Sequence, residues 1–508
     1  MTQIVQYGQV NTTALIVPDL IVQIIAPQVA QLNGVPTNVA GFVGTATWGP
    51  VNSPTIVGSM ADYARNFGAI QNRLYDMGTA VAAAVLQGAN NFRCVRVTDG
   101  TDAAATIVVQ TSCITFTGKY TGSLGNSLQV QIAAGSAAST SKVIVTLPGQ
   151  TPEVFDNIAG SGNALWVNMA NAINNGQVGA RGPSQLIVAT AGAGTTAPTL
   201  ATYTLAGGAD GATTINGSVL IGQDTIPRKG MYALRGTGAS VAALVDCSDT
   251  TTFSTQVSYG LSEGTYMIGV TPAGDTISNA VSAKATAGID SYAFKYMFGD
   301  WVYFLDPVNG GVRLISPQGY VVGVLANLAP QNSSLNKQLY GIVGTQKSNA
   351  NQQYSSAELQ SLAQAGIDVI TNPIPAGNQF GVRIGHNSSS DSTRNGDNYT
   401  RMTNYLAATT AAGMGIYDGR LQSTQPTDPL RRNVKATLDN FYLNLQQQLQ
   451  IDDFTVQCDL NNNPPSRIAL GYLQADVRVR YLAVAEKILI NQEGGQSVTI
   501  TRQQLTSF

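Results

Sequence analysis

Charge is scarce in this 508-residue chain: Asp, Glu, Lys and Arg make up 11% of it, against about 25% in an average globular protein. Its 27 Lys and Arg are spread thinly and the net charge is −2. That argues against a nucleic-acid partner, because phosphate binding needs concentrated positive charge. Histidine is nearly absent, His386 being the only one. The four cysteines, Cys94, Cys113, Cys247 and Cys458, stand far apart with no CxxC, which excludes the usual zinc spacings and fits a reducing compartment. Long apolar runs are missing too. Nothing approaches the roughly 18 residues of a spanning helix, and no basic region precedes the short stretch Leu20–Ala26, which Gln23 and Pro27 interrupt. The expectation is a chain without a secretory signal or stable membrane insertion, soluble or entering a soluble assembly.

Polar neutrality replaces the missing charge. Apolar residues reach 44%, glycine numbers 53, and mean hydropathy is +0.04. A surface rich in Asn, Gln, Ser and Thr repels its own copies weakly, so like subunits pack closely at little electrostatic cost. A secreted or salt-adapted enzyme with a neutral surface is the alternative. The length suggests two to four domains.

Catalytic motifs are sparse. No GxGxxG follows a strand and no GxSxG elbow is present. The segment Gly341-Ile342-Val343-Gly344-Thr345-Gln346-Lys347-Ser348 approaches a phosphate loop, but the glycine needed before the lysine is Gln346, whose Cβ obstructs the wrap around phosphate. His386 beside Asp391 is the one imidazole option, in a polar loop. No cofactor or metal site is expected, and no catalytic residue stands out.

Patterning divides the chain. Residues 1–34 read as an extended arm with β-prone stretches Val10–Val17 and Leu20–Ile25, which need covering by an edge of this chain or a neighbour. An α/β pattern follows: strand Asn38–Thr45, the Gly49-Pro50 turn, a helix opening at Ser59–Asp62, helix Thr79–Gln87 and strand Asn91–Val97 with Cys94 buried in it. From 100 to 218 charge nearly vanishes. Short strands Thr106–Gln110, Leu128–Ile132, Lys142–Leu147 and Gln185–Ala189, with one helix near Ala164–Asn174, predict an inserted β-rich domain. The α/β pattern resumes with strands Val241–Asp246, Thr265–Val270, Phe298–Leu305 and Val369–Thr371, and helices Gly319–Asn327 and Ser356–Ala365. Another strand is expected near Phe380–Ile384, and Asn398–Ala408 begins the last helical part. The divisions are 1–34; 35–99 with 219–371; 100–218; and 372–508. The fold class is multidomain α/β: a core with an inserted β-rich domain, an α+β C-terminal domain and extended arms at both ends.

The C-terminal quarter is the most patterned. Val434, Leu438, Phe441, Tyr442, Leu445 and Leu449 recur at spacings of three and four, one apolar stripe on a helix over Arg431–Gln450. Val477, Val479 and Tyr481 alternate with Asp476, Arg478 and Arg480, which is strand periodicity. A short strand Val498–Thr501 follows the break at Gly494-Gly495. This end is built to pack and pair.

Set in order, several segments resemble the tail sheath proteins of contractile phage tails and related injection machines. They are Gly34-Val35-Pro36 through Val39–Gly44, Gly49–Pro54, Ser59–Tyr63 with Phe67-Gly68, Phe92–Val97, Tyr120–Leu128, Leu205–Gly211, Ser316–Gly323 and Ala365–Ile370, then the C-terminal helix and strands. Leu124 stands where an aromatic is usual, and Phe380–Ile384 where a tryptophan-bearing strand is usual. The resemblance covers most of the chain. It implies a virion tail-sheath subunit, assembled in the host cytoplasm, that stacks in rings around an inner tube. Contraction would drive the tube through a target envelope, powered by packing between subunits rather than by nucleotide hydrolysis. The implied partners are copies of itself, the inner tube protein, and baseplate and tail terminator proteins. Terminal arms would add strands to neighbours' sheets. On that basis Val10, Ala14 and Ile16 are candidates for arm contacts, and Val477, Val479, Tyr481, Val498 and Ile500 for the receiving sheet or donated tail. The alternative is that these strands complete the chain's own core. Arg431, Arg432 and Lys435 are candidates for contact with an acidic inner tube, or a solvated helix start. A static β-rich shell protein is the main rival reading.

Overall fold

Two faces of one sheet organise the largest part of the molecule. The computed structural model describes residues 31–496 and the backbone of two short arm strands, Gln3–Val5 and Ile21–Gln23, which pair in parallel. In the central six-stranded sheet the order is Phe294–Met297, Tyr266–Val270, Val241–Leu244, Ala40–Gly44, Phe92–Arg96 and Thr55–Val57. The first five run parallel; Thr55–Val57 is antiparallel at the edge. Side chains alternate faces along each strand. Phe42, Ala243 and Ile268 join the core on one side, Val43, Leu244 and Met267 the core on the other. Burial on both faces explains the near-continuous apolar character of these strands.

Helices Met77–Leu86 and Gln318–Asn327 cover the first face. The second is buried almost all round, which is why it shows no polar stripe. They approach closely because Gly319 and Gly323 lack side chains. A Cβ on Gly319 would lie 2.8 Å from the Ala80 carbonyl, and one on Gly323 would lie 2.6 Å from Ala84 Cα. Helices Phe253–Glu263 and Ile277–Thr286 contribute to the second face.

A separate core gathers Trp48 with residues between Ala105 and Leu205. It is built from a four-stranded antiparallel sheet, a three-stranded one and helix Gly162–Asn175. Arg96 ties it to the central sheet. This fully buried guanidinium donates to the carbonyls of Gly49 (2.9 Å), Thr121 (2.6 Å) and Asp210 (3.1 Å), while Arg73 pairs with the Asp210 carboxylate at 2.6 Å.

Two strand expectations need correction. Phe298–Leu305 is not one strand: Phe294–Met297 ends in the central sheet, and Val302–Leu305 begins a three-stranded antiparallel sheet with Val312–Ile315 and Ile342–Thr345. The chain turns at Gly299, where a Cβ would meet the Pro272 carbonyl at 2.0 Å. Phe380–Ile384 shrinks to Gly381–Val382, paired with Ile370–Thr371.

Replacing Gly323 by Leu should therefore lower unfolding free energy by about 1–3 kcal/mol or more in urea titrations, through overpacking of two helices. Gly494→Ala, where nothing lies within 4 Å, should leave it unchanged.

Candidate assembly surfaces in the C-terminal region

Helix Pro429–Gln447 starts where its sequence supplies a cap. The Asp428 carboxylate accepts from Arg431 N at 3.1 Å and Pro429 occupies the first turn, a position whose missing N–H costs nothing. Leu430, Val434, Leu438, Phe441, Tyr442 and Leu445 are buried against helix Asp397–Met414 and the following strands. Leu449 does not extend the stripe. It lies beyond the helix end, has φ +54° and is 73% exposed.

Strand Ile451–Gln457 then pairs antiparallel with Asp476–Tyr481. The first strand escapes a period-two reading because the register shifts between Ile451 and Asp453. The bulge adds a residue, so Phe454 and Val456 return to the face that Ile451 began. Val477, Val479 and Tyr481 are half-buried against the same core, while Arg478 and Arg480 point to solvent. Among the described residues this sheet has two strands, leaving an unpaired edge on each.

The N-terminal arm is rooted beside it. Leu32 joins the same core, Val35 N donates to Thr409 Oγ1 at 3.2 Å, and Gly34 lies so close to Tyr405 that a Cβ would meet its hydroxyl at 2.1 Å. Val10, Ala14, Ile16, Val498 and Ile500, with strand Val498–Thr501, lie outside the described residues.

The basic trio does not form one surface. Arg431 is 2% exposed, and its guanidinium donates to the carbonyls of Ser423 (2.7 Å) and Gln425. It holds the loop ahead of its own helix and is withdrawn from any partner. Arg432 is exposed, and Lys435 pairs with Asp439 at 2.7 Å.

A buried ionic node fastens this region to the central sheet. Lys295, in the edge strand Phe294–Met297, has no exposed side-chain surface; its Nζ lies 2.6 Å from Asp368 and 3.0 Å from Asp397. Asp397 opens helix Asp397–Met414 and also accepts from Tyr266 Oη (2.6 Å) and Ser334 Oγ. Asp368 accepts from the amides of Ile384 and Gly385. Burial pushes the Asp397 carboxyl up, but Lys295, Ser334 and Tyr266 outweigh it and hold it below the ordinary range. Burial likewise lowers Lys295, and its two carboxylates more than reverse that. Sequence patterning gave no sign of this triad, whose members are 73 and 102 residues apart.

The crevice that open α/β sheets offer to ligands is filled by the chain itself. Such crevices open beyond the carboxyl ends of strands where their order reverses, here between Ala40–Gly44 and Val241–Leu244. Thr45 Oγ1 donates to the Tyr75 carbonyl (3.0 Å), Tyr75 N donates to Asp246 (2.9 Å), and Gln318 Nε2 donates to the Leu244 (3.1 Å) and Ile268 (2.7 Å) carbonyls. The phosphate-loop-like segment is also engaged: Lys347 pairs with Glu358 over the Tyr354 ring. His386 faces Glu486 rather than Asp391, which binds Thr393 and Arg394 instead. Among the described residues, no three His, Cys, Asp or Glu are grouped to hold a metal, and no helix is long and apolar enough to cross a membrane.

No family model matches the chain, and no curated protein sequence does. Solved structures do. The sheath tail protein from Listeria innocua superposes with a TM-score of 0.59 at 14% identity, over 85% of this chain and 90% of that one. The sheath tail protein from Desulfitobacterium hafniense gives 0.56 at 15% identity, over 85% and 92%. The sheath complex of an extracellular contractile injection system, in its contracted state, gives 0.54 at 11% identity, over 96% and 99%. The class is thereby defined as a mixed α/β fold with several sheets. More particularly, the chain has the fold of contractile-tail sheath proteins.

Two outcomes follow. Lys295→Met strands two buried carboxylates and should cost about 3–5 kcal/mol in urea unfolding, whereas Arg480→Ala, at an exposed pair with Asp452, should cost under about 1 kcal/mol. The second concerns Asp246 and Asp76. Asp246 is half-buried as a residue, but its carboxyl is enclosed; burial, with Asp76 adding, pushes it up to about 7 against the Tyr75 amide. Burial pushes Asp76 up to about 6 against the Thr79 hydroxyl. Both exceed the ordinary value near 4, so the folded state holds these protons more tightly. The stabilisation is full below pH 4 and disappears as pH rises through 6 and 7. Asp246→Asn should remove about 2–3 kcal/mol of the stability difference between pH 5 and pH 8, read from urea midpoints at both.

Proposed function

We propose that this protein is the structural subunit of a contractile tail sheath. Copies stack in rings around an inner tube in an extended, high-energy arrangement, then shorten and widen to drive the tube through a target cell envelope. The observation that carries this reading is the sheath-protein fold over nearly the whole chain, in structures that include sheaths in contracted states. Two features of this chain support it. Among the described residues the C-terminal sheet has two unpaired edges, and the N-terminal arm is rooted beside it. Strands lent by neighbours would pair through backbone groups, which tolerate large rotations of the subunits because they depend little on side-chain identity. On this reading Val10, Ala14, Ile16, Val498 and Ile500 belong to the lent segments, and Val477, Val479 and Tyr481 to the receiving sheet. Arg432 is the member of the basic trio free to meet an acidic tube.

The partners are copies of this chain, the inner tube, and baseplate and terminator proteins; the location is the virion tail. The domain divisions at 34, 99, 218 and 371 are proposed with it. A static shell shares the need for self-association but has one packing state, whereas a sheath has two.

Negative-stain electron microscopy of the purified protein tests the reading. The full chain should give hollow tubes or stacked rings, and a variant lacking residues 1–20 should stay a folded monomer. Loss of folding in that variant would assign the arm to the chain's own core. Dispersed particles from the full chain, even with its inner tube supplied, would overturn the proposal.

A further inference from the structure

Past its last described strand the chain does not leave the molecule. The strap 482–487 turns back across the surface. Asn398 Nδ2 donates to the Leu482 carbonyl at 3.1 Å, and His386 Nε2 lies 2.7 Å from the Glu486 carboxylate. Asn395 Nδ2 approaches His386 Nδ1 at 3.4 Å. An amide nitrogen can only donate, so Nδ1 accepts and Nε2–H donates to Glu486. The only histidine in the chain thus binds the tail.

The strap enters a groove of about 580 Å³ between helix Ser356–Gln364 and the turn after Gly381–Val382. Its apolar lining comprises Leu335, Leu359, Ala363 and Ile384, and Glu486 and Lys487 already stand in it. Immediately beyond come Ile488, Leu489 and Ile490, exposed by 83, 85 and 79% without regular secondary structure. Three successive large apolar side chains in water, directly after two residues that stand in a groove of mixed lining with four apolar members, form a strap poised to close.

We propose that this groove is a parking site for the chain's own tail. In the unassembled subunit the His386–Glu486 contact holds the strap in cis, and residues 488–490 fold into the groove. The tail is thereby withheld from other copies until assembly draws it out. The groove, not an open sheet edge, is the tail's first binding site. The role in assembly rests on the sheath reading; the parking itself does not.

Hydrogen–deuterium exchange of the full chain at concentrations where it is monomeric tests this. Amides of 482–492 should exchange at least tenfold more slowly than in the isolated peptide, to the same degree at every concentration. In His386→Ala and in an Ile488→Ser/Ile490→Ser variant that protection should vanish, while helix Asp397–Met414 stays protected as a control for folding. His386→Ala should also assemble at lower concentration. Exchange at the free-peptide rate in the unmodified chain would overturn the proposal, as would protection untouched by His386→Ala. Protection that grows with concentration would assign the groove to a second copy's tail and overturn parking in cis. Concentration-independent protection in a chain that never forms tubes would retain parking and remove its role in assembly.

Discussion

Everything at the C-terminal end depends on one buried cation. Lys295 enters the edge of the central sheet without water around it, and a buried ammonium is tolerable only if opposite charge and hydrogen bonds surround it. Asp368 and Asp397 supply that charge, and the Tyr266 hydroxyl and the Ile384 and Gly385 amides supply hydrogen bonds to the two carboxylates. Asp397 sits in the first turn of its helix, where a negative charge is favoured by the helix dipole. The excess negative charge is balanced by Arg401, buried one turn on and donating to the Leu328 and Ala329 carbonyls. Each group requires the others in place, so the arrangement is all-or-none. Helix Asp397–Met414 is therefore fixed against the sheet, and the core it shares with helix Pro429–Gln447 and the two-stranded sheet is fixed with it. On the proposed sheath reading, in which energy is stored in contacts between copies, a stiff interior lets strain applied at the surface reach the neighbour rather than dissipate within.

The same economy of internal freedom closes the reversal point of the central sheet, between Ala40–Gly44 and Val241–Leu244. Tyr75, Asp246 and Gln318 close the reversal point with hydrogen bonds between side chains and backbone groups. Fold alone never decides function; at this reversal point the chain's own side chains take up the hydrogen-bonding groups.

Much of this was legible in the sequence wherever period and burial coincide. Strand Ala40–Gly44, helix Met60–Phe67 with its Ser59 cap, and the stripe from Val434 to Leu445 were readable because local pattern and tertiary role agree. Strand Ile451–Gln457 was hidden by its bulge and its acidic pair Asp452-Asp453. Phe294–Met297 was hidden because Lys295 looks like a solvent residue and finds its partners only after folding. Arg431 misled for the opposite reason: a helix-start arginine reads as solvated, and only the loop from Ser423 to Asp428 shows what it binds. Leu449 extended a helical period past the place where the backbone had already turned. Sequence periodicity reports which face is apolar; it does not report which charges will be enclosed by segments a hundred residues away.

We propose that the two-stranded C-terminal sheet is an unfinished element completed by other copies. Helical reconstruction of the assembled protein by cryo-electron microscopy tests it most directly, by tracing what lies against the free edges of Ile451–Gln457 and Asp476–Tyr481. Added strands should lie there, hydrogen-bonded through their backbones and continuous with the N- or C-terminal segments of neighbouring subunits. Bare edges in the assembly, or edges covered by the same chain's own arms, would contradict it.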